Sequence, residues 1–158
     1  MVHTPGILVA AHDHDERTSI EAAISLWNLD HRLSFAPDED EVMSHLEAGR
    51  REHRGPDLLI VDHALPPAGG VALVTRLRAI PWLITMPIIV VSGDVSDELL
   101  ARFLHARAST VLRKPVDPDA YQSLMCSLLD YWLILDEGGK GTARKGTNQV
   151  TLTDGGCA

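Results

Sequence analysis

Basic charge is scarce in this chain. Its 158 residues hold 14 Lys and Arg against 22 Asp and Glu, a formal net charge of -8. The imbalance falls wholly on residues 1–135, where 11 basic side chains stand against 19 acidic ones, while residues 136–158 hold 3 of each. Such a surface repels phosphate backbones, so no nucleic-acid partner is expected. Long apolar runs are missing too. No window is apolar over the roughly 18 residues that a membrane span needs, and the start Met-Val-His-Thr-Pro lacks the basic and apolar regions of a signal peptide. No membrane partner is expected, and the expected location is cytoplasmic. Only two cysteines occur, Cys126 and Cys157, without metal-ligand spacing, which points to reduced thiols. What remains is 45% apolar content, enough for one core and short for two domains.

The apolar residues are organised in a rhythm. Strand-like runs lie near 7–11, 32–36, 57–61, 87–91 and 109–113, each separated by enough chain for a helix, which is the βαβ pattern of a parallel sheet with helices on both faces. A helix over 15–29 carries Ile20, Ala23, Ile24 and Trp27 at spacings of three and four, giving one buried stripe below an acidic first turn. Asp38 with Glu41 three residues on forms a capping-box variant for a second helix that ends at Arg50 and Arg51. Further helices are expected near 70–79, 95–107 and 118–135. From Asp136 the composition turns to Gly, Lys, Thr, Asn and Asp, and 136–158 reads as a flexible tail behind a domain of residues 1–135. The tail segment Gly-Gly-Lys-Gly-Thr lacks the spacing of a phosphate loop.

Polar residues interrupt this pattern at one kind of place. Asp62 closes the run Asp-Leu-Leu-Ile-Val-Asp, His12-Asp13 follow Gly-Ile-Leu-Val-Ala-Ala, Ser92 follows Pro-Ile-Ile-Val-Val, and Lys114 follows Ser-Thr-Val-Leu-Arg. Parallel sheets carry their ligand chemistry at the carboxyl ends of strands, so four such residues converge on one edge. A lone Asp after a strand is an ordinary turn residue. Four coincidences of this kind reverse that reading.

With Asp13, Asp62 followed by Pro66 and Gly70, Ser92-Gly93 and Lys114-Pro115 in this order, the chain resembles the receiver domains of two-component response regulators over about Gly6 to Leu135. The resemblance implies a flavodoxin-like α/β fold, a five-stranded parallel sheet of order 2-1-3-4-5. It implies a phosphoacceptor with self-catalysed phosphotransfer rather than a turnover enzyme: Asp62 accepts a phosphoryl group from a sensor histidine kinase, and the chain signals by protein contacts. A carboxylate can accept a phosphoryl group only when both charges are neutralised. The implied neutralisers are Mg²⁺, a hard ion that prefers oxygen ligands, and Lys114, with Ser92 donating a hydroxyl. Asp13, Asp62 and the backbone carbonyl of Ala64 are the implied ligands, and Gly93 leaves room for the phosphoryl group. The family has a cis peptide at the position of Lys114-Pro115.

Two departures stand out. His12 occupies the first place of an acidic pair, which should weaken metal binding because Mg²⁺ disfavours imidazole. Val111 stands where the family often has an aromatic ring. An alternative register puts Ala11-His12 at the acidic pair; His12-Asp13 is preferred because the distance from Asp13 to the Asp38 cap then needs no inserted residue. The run Lys-Pro-Val-Asp followed by Tyr-Trp-Leu is similar to the stand-alone receivers that partner bacterial phytochrome kinases. The last helix is apolar almost all round from Leu128, and a face with Met125, Leu129, Trp132 and Leu133 suggests a homodimer. Two rival readings remain: a pseudo-receiver that binds without being phosphorylated, favoured by His12, and a small Asp-nucleophile phosphatase, disfavoured by Ala64 where that class needs a second Asp.

Overall fold

The computed structural model describes residues 4–135 and, for the backbone, 150–152. Six parallel strands form one sheet: β1 (Gly6–Ala10), β2 (Arg32–Ala36), β3 (Leu58–Asp62), β4 (Ile88–Ser92), β5 (Thr110–Arg113) and β6 (Val150–Leu152). Their order is β2-β1-β3-β4-β5-β6. The first five strands have the flavodoxin-like order 2-1-3-4-5. β6 is an addition on the outer edge of β5, within the segment 136–158; the rest of that segment lies outside the described residues.

The alternation of side chains along each strand sorts the core into two layers. Ile7, Val9, Leu58, Ile60, Ile89, Val91 and Leu112 pack on one face with Ile20 and Ile24 of α1 (His14–Ser25) and Leu124 and Leu128 of α5 (Pro118–Leu129). Leu8, Leu59, Val61, Val90 and Val111 point to the other. That face is covered by α2 (Glu39–Glu52), α3 (Gly70–Arg78) and α4 (Asp97–His105), through Leu46, Leu77 and Phe103 among others. Val111 is therefore a core residue of the three-helix face.

Local signals explain the helix ends. Asp38 caps α2 by accepting from the Glu41 amide at 2.9 Å, as its spacing predicts, and Arg50 and Arg51 close its last turn. α1 stops at Ser25 rather than 29 because the Trp27 amide turns back onto the Ile24 carbonyl. Trp27 is nonetheless buried, as the stripe requires. Gly70 is needed where α3 begins, since a Cβ there would lie 3.2 Å from the Asp62 carbonyl oxygen and from His63 Cα. At the opposite, amino-terminal end of the strands, Arg78 is only 6% exposed. It donates to the carbonyls of Arg107, Leu83 and Ile84 and to the Ser109 hydroxyl, joining the segments that lead into β4 and β5. Burial lowers its guanidinium to about 10, and Arg107 adds to the effect.

The C-terminal helix corrects the sequence reading. α5 ends at Leu129 and continues as a wider π-helical segment over Asp130–Leu135, which rotates the following side chains relative to a regular helix. Trp132 is 7% exposed and Leu133 5%, while Met125 and Leu129 are fully buried. The apolar face expected to carry a homodimer therefore packs inside the domain with Trp27, whose indole donates to Asp130 Oδ1 at 2.8 Å. Cys126 is buried; Cys157 lies outside the described residues. Among the described residues, no helix is long and apolar enough to cross a membrane.

Candidate functional site

Parallel pairing brings the predicted residues to one edge of the sheet. Asp62 ends β3 beside Val91, Ser92 ends β4 beside Arg113, and Lys114 follows β5 with its amide donating to the Ser92 carbonyl at 2.8 Å. Asp62 is half-buried, and its carboxyl is held above the ordinary value of 3.8 chiefly by that burial. The Ala64 amide, which donates to Asp62 Oδ1 at 3.4 Å, works against the rise. So do the positive charges of His63 and Lys114, whereas the charge of Glu16 raises it further. Ser92 is 4% exposed, and its hydroxyl is bound within its own loop, donating to the Asp94 carbonyl at 2.9 Å. A Cβ on Gly93 would meet nothing within 4 Å, so the space beside Ser92 is open, as expected.

The register at the end of β1 departs from the preferred sequence alignment. Ala10 pairs with Val61, and the next residues in line are Ala11 and Asp62. Ala11 belongs to the same core layer as Ile60 and Leu58, so it shares the face of Asp62, two residues along from Ile60. The alternative register, with Ala11-His12 at the acidic pair, is the one this geometry favours. Asp13 is exposed and caps α1, accepting from the Asp15 amide at 3.3 Å. His12 is exposed, with Nδ1 3.2 Å from the Pro37 carbonyl oxygen.

Among the described residues, no three or more His, Cys, Asp or Glu are grouped to hold a metal ion. Of the carboxylates assigned to Mg²⁺ from the resemblance, Asp62 stands at the end of β3 while Asp13 serves its own helix. The residues present do not fit a preformed ion cage. Mg²⁺ binding measured by calorimetry is therefore expected to gain about tenfold or more when Ala11→Asp and His12→Asp together restore two carboxylates at the end of β1. No gain from the double variant would place the acidic pair elsewhere. The cis peptide expected at Lys114-Pro115 is found instead between Pro66 and Pro67.

Two residues that sequence reasoning left out belong to this pocket. Glu16 counted only as an acidic residue of the first helical turn. In the structure its Oε1 accepts from Lys114 Nζ at 2.8 Å, so the lysine is paired with Glu16. The signal was present: the buried stripe of Ile20, Ala23 and Ile24, extended back one turn, lands on position 16. Tyr121 of α5 is 3% exposed, its ring lies 5.7 Å from Lys114 Nζ, and its hydroxyl has no hydrogen-bond partner. Burial, then the charges of Glu16 and Asp62, push that hydroxyl far above its usual range.

Residues 7–125 match the family model described as response regulator receiver domain. Among solved structures, the phosphorylated cyanobacterial phytochrome response regulator RcpA is similar with a TM-score of 0.74 at 17% identity, covering 83% of this chain and 95% of that one. The response regulator RPA3017 of R. palustris, described as acting in red light signaling, gives a TM-score of 0.74 at 19% identity over 82% of this chain and 94% of that one. An uncharacterized 14.6 kDa protein in the sodA1 3′ region of Leptolyngbya boryana is 35% identical over 86 residues, 54% of this chain. The matched part spans 62% of that curated relative.

Proposed function

The chain belongs to the response regulator receiver domain family, and on that premise we propose that it takes a phosphoryl group from a sensor histidine kinase onto Asp62 and signals through protein contacts. The observation that carries the proposal is the half-buried Asp62 carboxylate at the end of the central strand, with Lys114 and Ser92 at the same edge. Asp62 supplies the nucleophilic oxygen, Lys114 the positive charge for a phosphoryl oxygen, and Ser92 a hydroxyl that must leave Asp94 to reach it. A phytochrome-type kinase is the proposed partner class, supported by the Lys-Pro-Val-Asp and Tyr-Trp-Leu runs and by the RcpA-like fold. A cytoplasmic setting is part of the same proposal.

Two observations favour a second reading, a pseudo-receiver that binds partners without phosphorylation. The acidic pair is replaced by Ala11-His12, and Lys114 is already held by Glu16. Incubation with acetyl phosphate and Mg²⁺, followed by intact mass, separates the readings. A single stable phosphoryl adduct is expected; an unchanged mass supports the pseudo-receiver, and multiple turnover of phosphomonoesters would indicate a hydrolase.

A further inference from the structure

The pocket holds more negative charge than its one lysine can serve. Lys114 Nζ is bonded to Glu16 Oε1 at 2.8 Å, with the two side chains 27% and 17% exposed. The other carboxylate oxygen of Glu16 is buried and has no hydrogen-bond partner among the described residues, so Lys114 alone among them pairs with this side chain. A phosphoryl group on Asp62 carries two negative charges where the carboxylate carried one, and it needs the same ammonium. Opposed anions at contact distance repel strongly in a partly desolvated pocket, and Lys114 cannot neutralise both. Glu16 also has another place to go. It lies three residues after the Asp13 cap, the spacing at which an acid turns back to the first turn of its own helix.

Resting on the phosphoacceptor reading above, we propose that Glu16 is a built-in competitor for Lys114, holding the lysine while Asp62 is unmodified and giving it up to the phosphoryl group. The transfer itself is balanced without Glu16: an Asp62 oxygen forms the bond to phosphorus, and the bond from phosphorus to the donor's imidazole nitrogen or acyl oxygen breaks. The donor leaves with that electron pair. Glu16 acts on the charge around this exchange. It slows arrival by its own repulsion and by occupying Lys114, and its departure rearranges the first turn of α1. It is a positioning residue, not a catalytic one.

The test is a time course of intact mass with acetyl phosphate and Mg²⁺ on the full chain, comparing wild type, Glu16→Gln and Glu16→Asp, with the adduct mapped to Asp62. Thermal melts establish that each variant is folded. Glu16→Gln, which keeps shape and removes charge, is expected to label about tenfold faster, the factor that roughly 1.4 kcal/mol of relieved repulsion gives. Glu16→Asp keeps the charge and should stay within about twofold of wild type. Labelling of Glu16→Gln alone also supports the proposal, as a pocket closed by its own acid. Wild type labelling as fast as folded Glu16→Gln, or faster, overturns it while leaving the phosphoacceptor reading intact. Folded proteins that all stay unlabelled overturn both.

Discussion

Asp62→Asn is expected to lose all labelling by acetyl phosphate or a phosphorylated kinase while becoming more stable at neutral pH. The first half follows from chemistry: an amide oxygen is a poor nucleophile at phosphorus, and no other carboxylate ends a central strand in the described sheet. The second half follows from linkage. Burial holds the Asp62 carboxyl above 3.8, so the folded chain binds that proton more tightly than the unfolded chain does. The contribution to stability is fully present below 3.8 and is lost as pH rises through the raised value. Asparagine has no charge to bury, so the variant should unfold later than wild type at pH 7, with the gap closing in acid. Labelled residue in Asp62→Asn would move the phosphoacceptor elsewhere, and an earlier melt at pH 7 would mean that the carboxylate is held favourably.

Trp132→Ala should destabilise the domain by about 3–5 kcal/mol, the usual cost of emptying a buried indole site. Trp132 belongs to the same buried cluster as Trp27, Leu128 and Leu133, and it continues the stripe of Met125 and Leu128 at spacings of three and four. The variant's denaturant midpoint should fall sharply with little change in slope. Sedimentation should show no dissociation that precedes unfolding. Unchanged stability with an altered association state would restore the outward-facing helix inferred from sequence.

The contrast between these two sites shows what could be read from the chain. Asp62, Ser92 and Lys114 are legible because each interrupts a buried strand at its end, where no packing reason requires a polar side chain. The parallel sheet with helices on both faces follows from the βαβ rhythm and right-handed crossovers, and the strand order from the resemblance to receiver domains. The C-terminal helix departs from the expectation because its buried band is wide: Met125, Leu128, Leu129 and Trp132 share one face at spacings of three and four, and an all-apolar run does not mark which face meets the sheet. Glu16 was overlooked for a different reason. An acid in a first turn is adequately explained by the helix dipole, and only the tertiary meeting of α1 with the end of β5 gives it a second use. The β1 end was ambiguous by one residue, which in a strand decides the face, and pairing of Ala10 with Val61 resolves it.

The Arg78 cluster separates the durability of the fold from the geometry of the site at Asp62. One guanidinium fastens the approaches to β4 and β5 at the end of the sheet opposite Asp62, a strand length away. Loss of that cation would strand buried carbonyls and lower the fraction of molecules folded, whereas each surviving molecule would still present Asp62, Ser92 and Lys114 in place. Variation there changes how many copies are folded, not the geometry that each folded copy presents at Asp62.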